Sequence, residues 1–439
     1  MKTDANQRVS MSVPTDMAFF PLATSFMEKA ALAMGLDQSG ALALTLATEE
    51  IFSYLCQVAS PEQGVEIRCS NGGYYVRADF SFSVEDFNMR AFNLTATVSI
   101  DDETSLEEMG LLIASRSVER FQVSEDKGKG VRLTLIKERK YPEPDNETVP
   151  EVKPMPKFSI RFPDPEELKM FVILVNRHYP EQIIPNSFKY PGKVVDMVNG
   201  GEYQVALALA PAGQVGGGIV WHWAGLRTIE CFGPYIFNQE QGSSMPEELI
   251  EACLGDIAKT PAVGLINRMP THDIPQQYFE SLGYLTIFNR QESTTSFTAY
   301  FRQLQEDPGA AVWSHPELET FLRTEYVRLA LPREIRQVSD MGETRSTFSV
   351  LSAEFDRSQK TVTLRPIRPG VDAEENLVSH LRLIGPEALS SIFFEMDLAE
   401  PWQTDFTPAL LKNGFTPRMV LPYAGKGDII IFQLSDTMS

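Results

Sequence analysis

Cysteine is sparse in this 439-residue chain. Cys56, Cys69, Cys231 and Cys253 show no C-x-x-C spacing and lie in apolar segments, so neither a disulfide framework nor a zinc cage is expected. The five histidines offer no metal-ligand spacing either. Positive charge is short, with 39 Lys and Arg against 59 Asp and Glu and a formal charge of −20. A phosphate backbone or an anionic membrane surface needs a basic face, so no nucleic-acid and no membrane partner is expected. The opening MKTDANQRVS has no apolar run, and no segment approaches a membrane span, which predicts a cytoplasmic protein. No Walker-type loop or serine–histidine–aspartate constellation is present. What the chain does have is a 43% apolar fraction over a length that suggests roughly three domains.

The clearest boundary is Tyr141–Lys157 (YPEPDNETVPEVKPMPK), a stiff, solvated linker with five prolines and four acids. Residues 1–140 precede it. Phe19–Leu36 and Ser39–Ala59 have helical periodicity, split by Gly35 and the cap-like Asp37. Val65–Ser70 and Tyr74–Phe82 flank Asn71-Gly72-Gly73 as a hairpin. Ala91–Ile100 is a strand candidate and Leu106–Phe121 a helix, followed by a hairpin over Gln122–Lys137 that turns at Lys127–Gly130. This layout, above all GLLIASRSVERFQVSEDKGKGVRLTLIK, resembles the GHKL ATP-binding fold of anti-sigma-factor serine kinases, a two-layer α/β sandwich. The resemblance aligns Glu50 with the glutamate that polarises the attacking hydroxyl. It sets Tyr54 where an asparagine holds magnesium, Asp79 at the head of the adenine-binding D-x-G, and Gly110 in the lid. A phenol cannot supply the hard carbonyl ligand, and Glu108 brings a carboxylate to the phosphate side, where Asp101, Asp102, Glu103 and Glu107 add negative charge. ATP with magnesium is therefore not expected, and the domain is expected to dock a protein partner or regulate.

Farther along, Thr228–Phe237 (TIECFGPYIF) has strand composition, and Pro246, two glutamates and the spacing of Leu249, Ile250 and Cys253 start a helix. Between them stands the pattern Q-x-x-G-x-S at Gln239, Gly242 and Ser244, with Gln241 and Ser243 in the same turn. Small residues there let backbone N–H groups approach an anion at the positive end of the helix dipole; a plain connecting turn is the alternative. The order continues with a strand at Val263–Met269, a helix at Ile274–Leu282 and Gly283-Tyr284; a helix at Pro165–His178 and a hairpin over Tyr203–Ala210 and Gln214–Trp221 precede it. Residues 158–305 thus resemble a GNAT acyltransferase domain, which implies acetyl-CoA or another acyl-CoA at the turn and a small-molecule or protein amine as acceptor. Phe188–Pro191 is either the wall of an acceptor pocket or a staple for the helix at Val194–Val198.

Acyl transfer requires a base, an oxyanion contact and a proton for the leaving thiolate. The resemblance points to Glu230 as base, its pKa raised by partial burial, or else as an ordinary solvent-facing strand residue. Amides near Pro234–Phe237 would hold the oxyanion. Phe279 stands where the family carries its acidic tyrosine, leaving Tyr278 and Tyr284 as candidates. Residues 326–439 resemble a partial second copy, with Ile392–Leu398, a helix to Lys412 and Gly414-Phe415 repeating the order but lacking the glycine turn; an unrelated α/β domain is the alternative. The expected architecture is α+β, an N-terminal sandwich followed by tandem mixed-sheet domains. The function expected is an acyl-CoA-dependent N-acyltransferase with a kinase-inactive regulatory module, or a non-catalytic partner-switching protein that binds a protein partner and either senses acyl-CoA or only scaffolds.

Overall fold

The computed structural model describes residues 7–60, 62–84, 87, 89–95, 103–126, 130–144, 151–240, 242–288, 294–338, 345–357, 359–387 and 389–434. Two compact units divide the chain, Met1–Tyr141 and Pro142–Ser439.

The first unit runs β1 (Arg8–Pro14), α1 (Phe20–Ala33), α2 (Gln38–Val58), β2 (Gly64–Asn71), β3 (Tyr75–Phe82), α3 (Glu103–Arg116), β4 (Arg120–Asp126) and β5 (Gly130–Glu138). Its strands form one antiparallel sheet in the order β1-β2-β3-β5-β4. Alternate residues of β2 are buried, the mark of one covered face. Gly35 (φ +93°) ends α1, and Asp37 starts α2 by accepting the Gly40 N–H at 2.7 Å. Two expectations need correcting. Arg90–Phe92 is a 3-10 turn, not the start of a strand, and residues 96–100 lie outside the described set. The helix expected to reach Phe121 stops at Arg116, because Arg120 and Phe121 pair with Ile136 and Leu135 of β5. Asp101, Asp102 and Lys127–Lys129 lie outside the described residues, as do the side chains of Glu103, Glu107 and Glu108.

The second unit begins with β6 (Ser159–Arg161), α4 (Pro165–His178), α5 (Pro191–Asn199), β7 (Gln204–Leu209), β8 (Val215–Trp223) and β9 (Thr228–Ile236). It continues with α6 (Met245–Ile257), β10 (Gly264–Asn267), β11 (Glu280–Phe288) and β12 (Thr294–Gln303). These strands make a seven-stranded mixed sheet, β11-β12-β10-β9-β8-β7-β6. A connecting piece, β13 (Ala310–Ser314), α7 (Pro316–Arg328) and β14 (Arg333–Gln337), leads on to β15 (Val350–Asp356), β16 (Thr361–Arg368), α8 (Ala373–Ile384), β17 (Ser391–Asp397), α9 (Thr407–Lys412), β18 (Phe415–Leu421) and β19 (Ile429–Leu434). The last sheet runs β15-β16-β17-β19-β18. That order repeats β8-β9-β10-β12-β11 strand for strand: one antiparallel pair, one parallel pair bridged by a helix, then two antiparallel pairs.

The helix expected over Ile274–Leu282 is absent. Gln276–Tyr278 is a 3-10 turn after Pro275, and Glu280–Phe288 is strand β11, paired along its length with β12. Sheet pairing overrode a short stretch of helical spacing. No described helix is long and apolar enough to cross a membrane.

Candidate functional site

Strands β9 and β10 run parallel for only three registered pairs, Thr228↔Gly264 to Glu230↔Ile266, and then separate. Splayed strands strand their polar backbone groups, which need other partners. Asn267 Nδ2 donates to Gly233 O at 2.8 Å and Thr271 Oγ1 to Pro234 O at 2.6 Å. The Tyr179 hydroxyl accepts the Ile236 N–H at 2.6 Å and donates to Asp273 Oδ2 at 2.7 Å. Burial, with Asp273 adjacent, holds that phenol far above its ordinary range, so it stays protonated. Three of the four residues expected to make the oxyanion contact are not available: Pro234 has no N–H, Ile236 serves Tyr179, and Phe237 donates to Gly216 O at 2.9 Å.

Beyond β9 comes the turn. Gly242 (φ +86°) is exposed, and no heavy atom lies within 4 Å of where a Cβ would stand. Ser243 N–H donates to Glu240 O, and Ser244 Oγ bonds Glu248 Oε1 at 2.7 Å, within the first turn of α6. Gln241 lies outside the described residues. Gln239 is engaged by the linker, its Oε1 accepting the Met155 N–H at 2.9 Å. Neighbouring bonds run from Asn238 Nδ2 to Val152 O and from Gln214 Nε2 to Lys153 O, both 2.7 Å. Residues 152–155 therefore cross beside the turn as a strap. The open Gly242 suits a close anion approach, whereas Glu247 and Glu248 oppose one.

The second feature is a cleft of about 410 Å³ between the two repeated sheets, lined by His222, Glu230, Ile266, Arg268, Arg365, Glu395, Asp397 and Leu421 among others. A chain of ion pairs crosses it. Arg268 grips Glu230 through Nε at 2.6 Å and Nη2 at 2.8 Å and reaches Glu395 through Nη1 at 3.3 Å. Arg365 donates to Glu395 at 2.6 Å and to Glu354. Glu230 faces His222 in the β8–β9 register, with Nε2 and Oε2 3.4 Å apart. Burial alone would raise the Glu230 pKa, as its sequence position suggests. The Arg268 guanidinium and His222 outweigh that and hold it at about 2. A carboxylate so stabilised is a poor base.

Neither tyrosine candidate reaches this region. Tyr278 turns to Glu251 at 3.3 Å, and Tyr284 is 52% exposed beneath Arg418. Phe188 is fully buried, 6.2 Å from Phe171, and belongs to the core. The residues that sequence reasoning missed are Tyr179, Arg268, Arg365 and Glu395. Their partners are distant in the chain, and no local pattern marks them. Among the described residues, no cluster of His, Cys, Asp and Glu could hold a metal ion.

In the first unit Asp79 is buried, bound by Arg77 Nε at 2.9 Å and by the Thr134 hydroxyl. Tyr54 is buried edge-on to Phe87, which meets Phe82 and Phe92 in turn. Burial raises the pKa of Glu50, and a Cβ on Gly110 would stand 2.7 Å from its Oε2.

No family model and no curated protein matches this sequence. Solved structures similar to parts of it include a GNAT superfamily phosphinothricin acetyltransferase from Sinorhizobium meliloti in complex with AcCoA (16% identity, TM-score 0.27, 34% of this chain and 89% of that one). Others are an acetyltransferase of the GNAT family from Staphylococcus aureus Mu50 (14%, 0.25, 34% and 100%) and a GNAT family N-acetyltransferase from Escherichia coli in complex with CoA (13%, 0.26, 43% and 94%). Likeness at this level assigns no family.

Proposed function

We propose that residues 142–439 are an acyl-CoA-dependent N-acyltransferase-like protein built from one complete and one partial copy of a repeated fold. One observation carries this reading: the point where β9 and β10 part, at Glu230 and Ile266, opens directly onto the charged cleft. The parting strands open the sheet onto the cleft, and β9 leads on to the open turn at Gly242. Acyl-CoA would supply an activated acyl group there, its phosphates near Gly242 and Ser244. The cleft would take a small amine. On this reading the first unit, whose aromatic cluster includes Tyr54, is a regulatory module that docks a protein partner and does not use ATP.

A second reading, a sensor without turnover, draws on the Tyr179 hydroxyl standing on the Ile236 amide. Calorimetric titration with acetyl-CoA tests both. Micromolar binding abolished by Gly242→Trp supports the shared part, and no binding of any acyl-CoA defeats it. Thiol release in the presence of an amine panel then separates enzyme from sensor.

A further inference from the structure

The titratable groups lining the cleft differ in how far their partners already occupy them. Six titratable residues line it among those described: His222, Glu230, Arg268, Arg365, Glu395 and Asp397. Five are committed. Both guanidiniums stay charged at any working pH. Glu230 is held in a two-point grip by Arg268, and Glu395 lies between two arginines. Asp397 accepts backbone N–H groups from Lys426 at 2.7 Å and from Ala399 and Gly427 at 3.0 Å each. Glu230 and Glu395 are held below the ordinary carboxylate range by their arginines, and Asp397 is engaged as a hydrogen-bond acceptor. Only the imidazole is left.

His222 is also held in position. Its ring stacks on Phe232 at 5.4 Å with an 11° interplanar angle and meets the edge of Tyr203 at 5.6 Å. Nε2 stands 3.4 Å from Glu230 Oε2, and a carboxylate that can only accept favours the neutral tautomer with hydrogen on Nε2 and the lone pair on Nδ1. We infer that His222 is the proton-accepting residue of the cleft and that Glu230 is a positioning residue that sets its tautomer. The inference deepens the acyltransferase reading and rests on it for the reaction. The incoming amine loses its N–H proton to Nδ1 as its nitrogen bonds the acyl carbon, while the C–S bond breaks and the thiol sulfur keeps the electron pair. The other charges facing the ring's surroundings, from the residue after β10 and from β16 and β17, are Arg268, Arg365, Glu395 and Asp397.

Two measurements on the full chain decide it. Ring-nitrogen chemical shifts of ¹⁵N-histidine protein, assigned with His222→Gln, report the tautomer whether or not turnover is seen. Hydrogen on Nε2 that redistributes between the ring nitrogens in Glu230→Gln supports the inference; hydrogen on Nδ1, or a tautomer indifferent to Glu230→Gln, overturns it. In thiol release with acetyl-CoA and an amine, His222→Gln should lower kcat about 10²- to 10⁴-fold and abolish the acid limb of the pH profile, with KM for acetyl-CoA unchanged. A retained acid limb overturns the role. Absence of release in the wild type, with the Nε2–H tautomer present, defeats the acyltransferase reading instead and leaves the His222–Glu230 pairing standing.

Discussion

Arg268 and Glu395 occupy the same place in two copies of one strand pair, and they bond to each other at 3.3 Å. Each lies four residues past the first parallel-registered residue of its strand, Gly264 in one sheet and Ser391 in the other. Opposite charges at equivalent positions join the repeats across the cleft.

The carboxylates of this network are buried and its arginines part-exposed, so removing a cation leaves buried charge unpaired. Arg268→Ala should destabilise the second unit by about 3–5 kcal/mol in urea unfolding, because Glu230 and Glu395 lose their shared partner. An effect under about 1 kcal/mol would show the ladder to be solvated.

Glu230 also ties stability to acid. Its folded pKa, about 2, lies below the ordinary value of 4.5, so its contribution is full above about 4.5 and disappears as pH falls toward 2. Unfolding midpoints measured between pH 5 and 2.5 should fall less steeply in Glu230→Gln than in the wild type.

His380 acts near neutrality. It is fully buried on α8, its Nδ1 lies 2.9 Å from Asn376 O, and its Nε2 has no partner. Burial lowers its pKa below 6.5, so the unfolded chain binds the proton more readily and stability declines as pH falls below about 6.5. His380→Leu should reduce the difference between urea midpoints at pH 7.5 and 5.5.

Tyr179→Phe removes the hydroxyl that satisfies both Ile236 N–H and Asp273. A loss of about 1–3 kcal/mol is expected from the stranded groups, together with tighter acetyl-CoA binding by calorimetry. Unchanged affinity would mean that the amide plays no part in ligand contact.

Gly216→Ala tests the strap. Its Cβ would stand 1.9 Å from Met155 Cε, so the flexible end of the methionine must swing away from the sheet. Faster limited proteolysis within residues 151–157 is the expected outcome, with a cost under about 1 kcal/mol.

Much of the local structure was legible in the order of residues. Asp37 and Gly35 bound their helices, strand β9 and helix α6 flank the Gly242 turn, and the repeated strand–helix order of the last third is written in composition and turn residues. These signals survive because caps, turns and periodicity act over a few residues. Glu230 was visible too, but its state was not. Its protonation depends on Arg268, 38 positions away, and on Glu395 in the other sheet beyond it. The Ile274–Leu282 segment turns at Gln276–Tyr278 and becomes strand from Glu280, where β12 pairs with it. The sequence by itself determined the elements and the residue types available for chemistry. The tertiary structure alone decided which of them touch, and hence which charges are cancelled, which amides are occupied and which nitrogen remains to accept a proton.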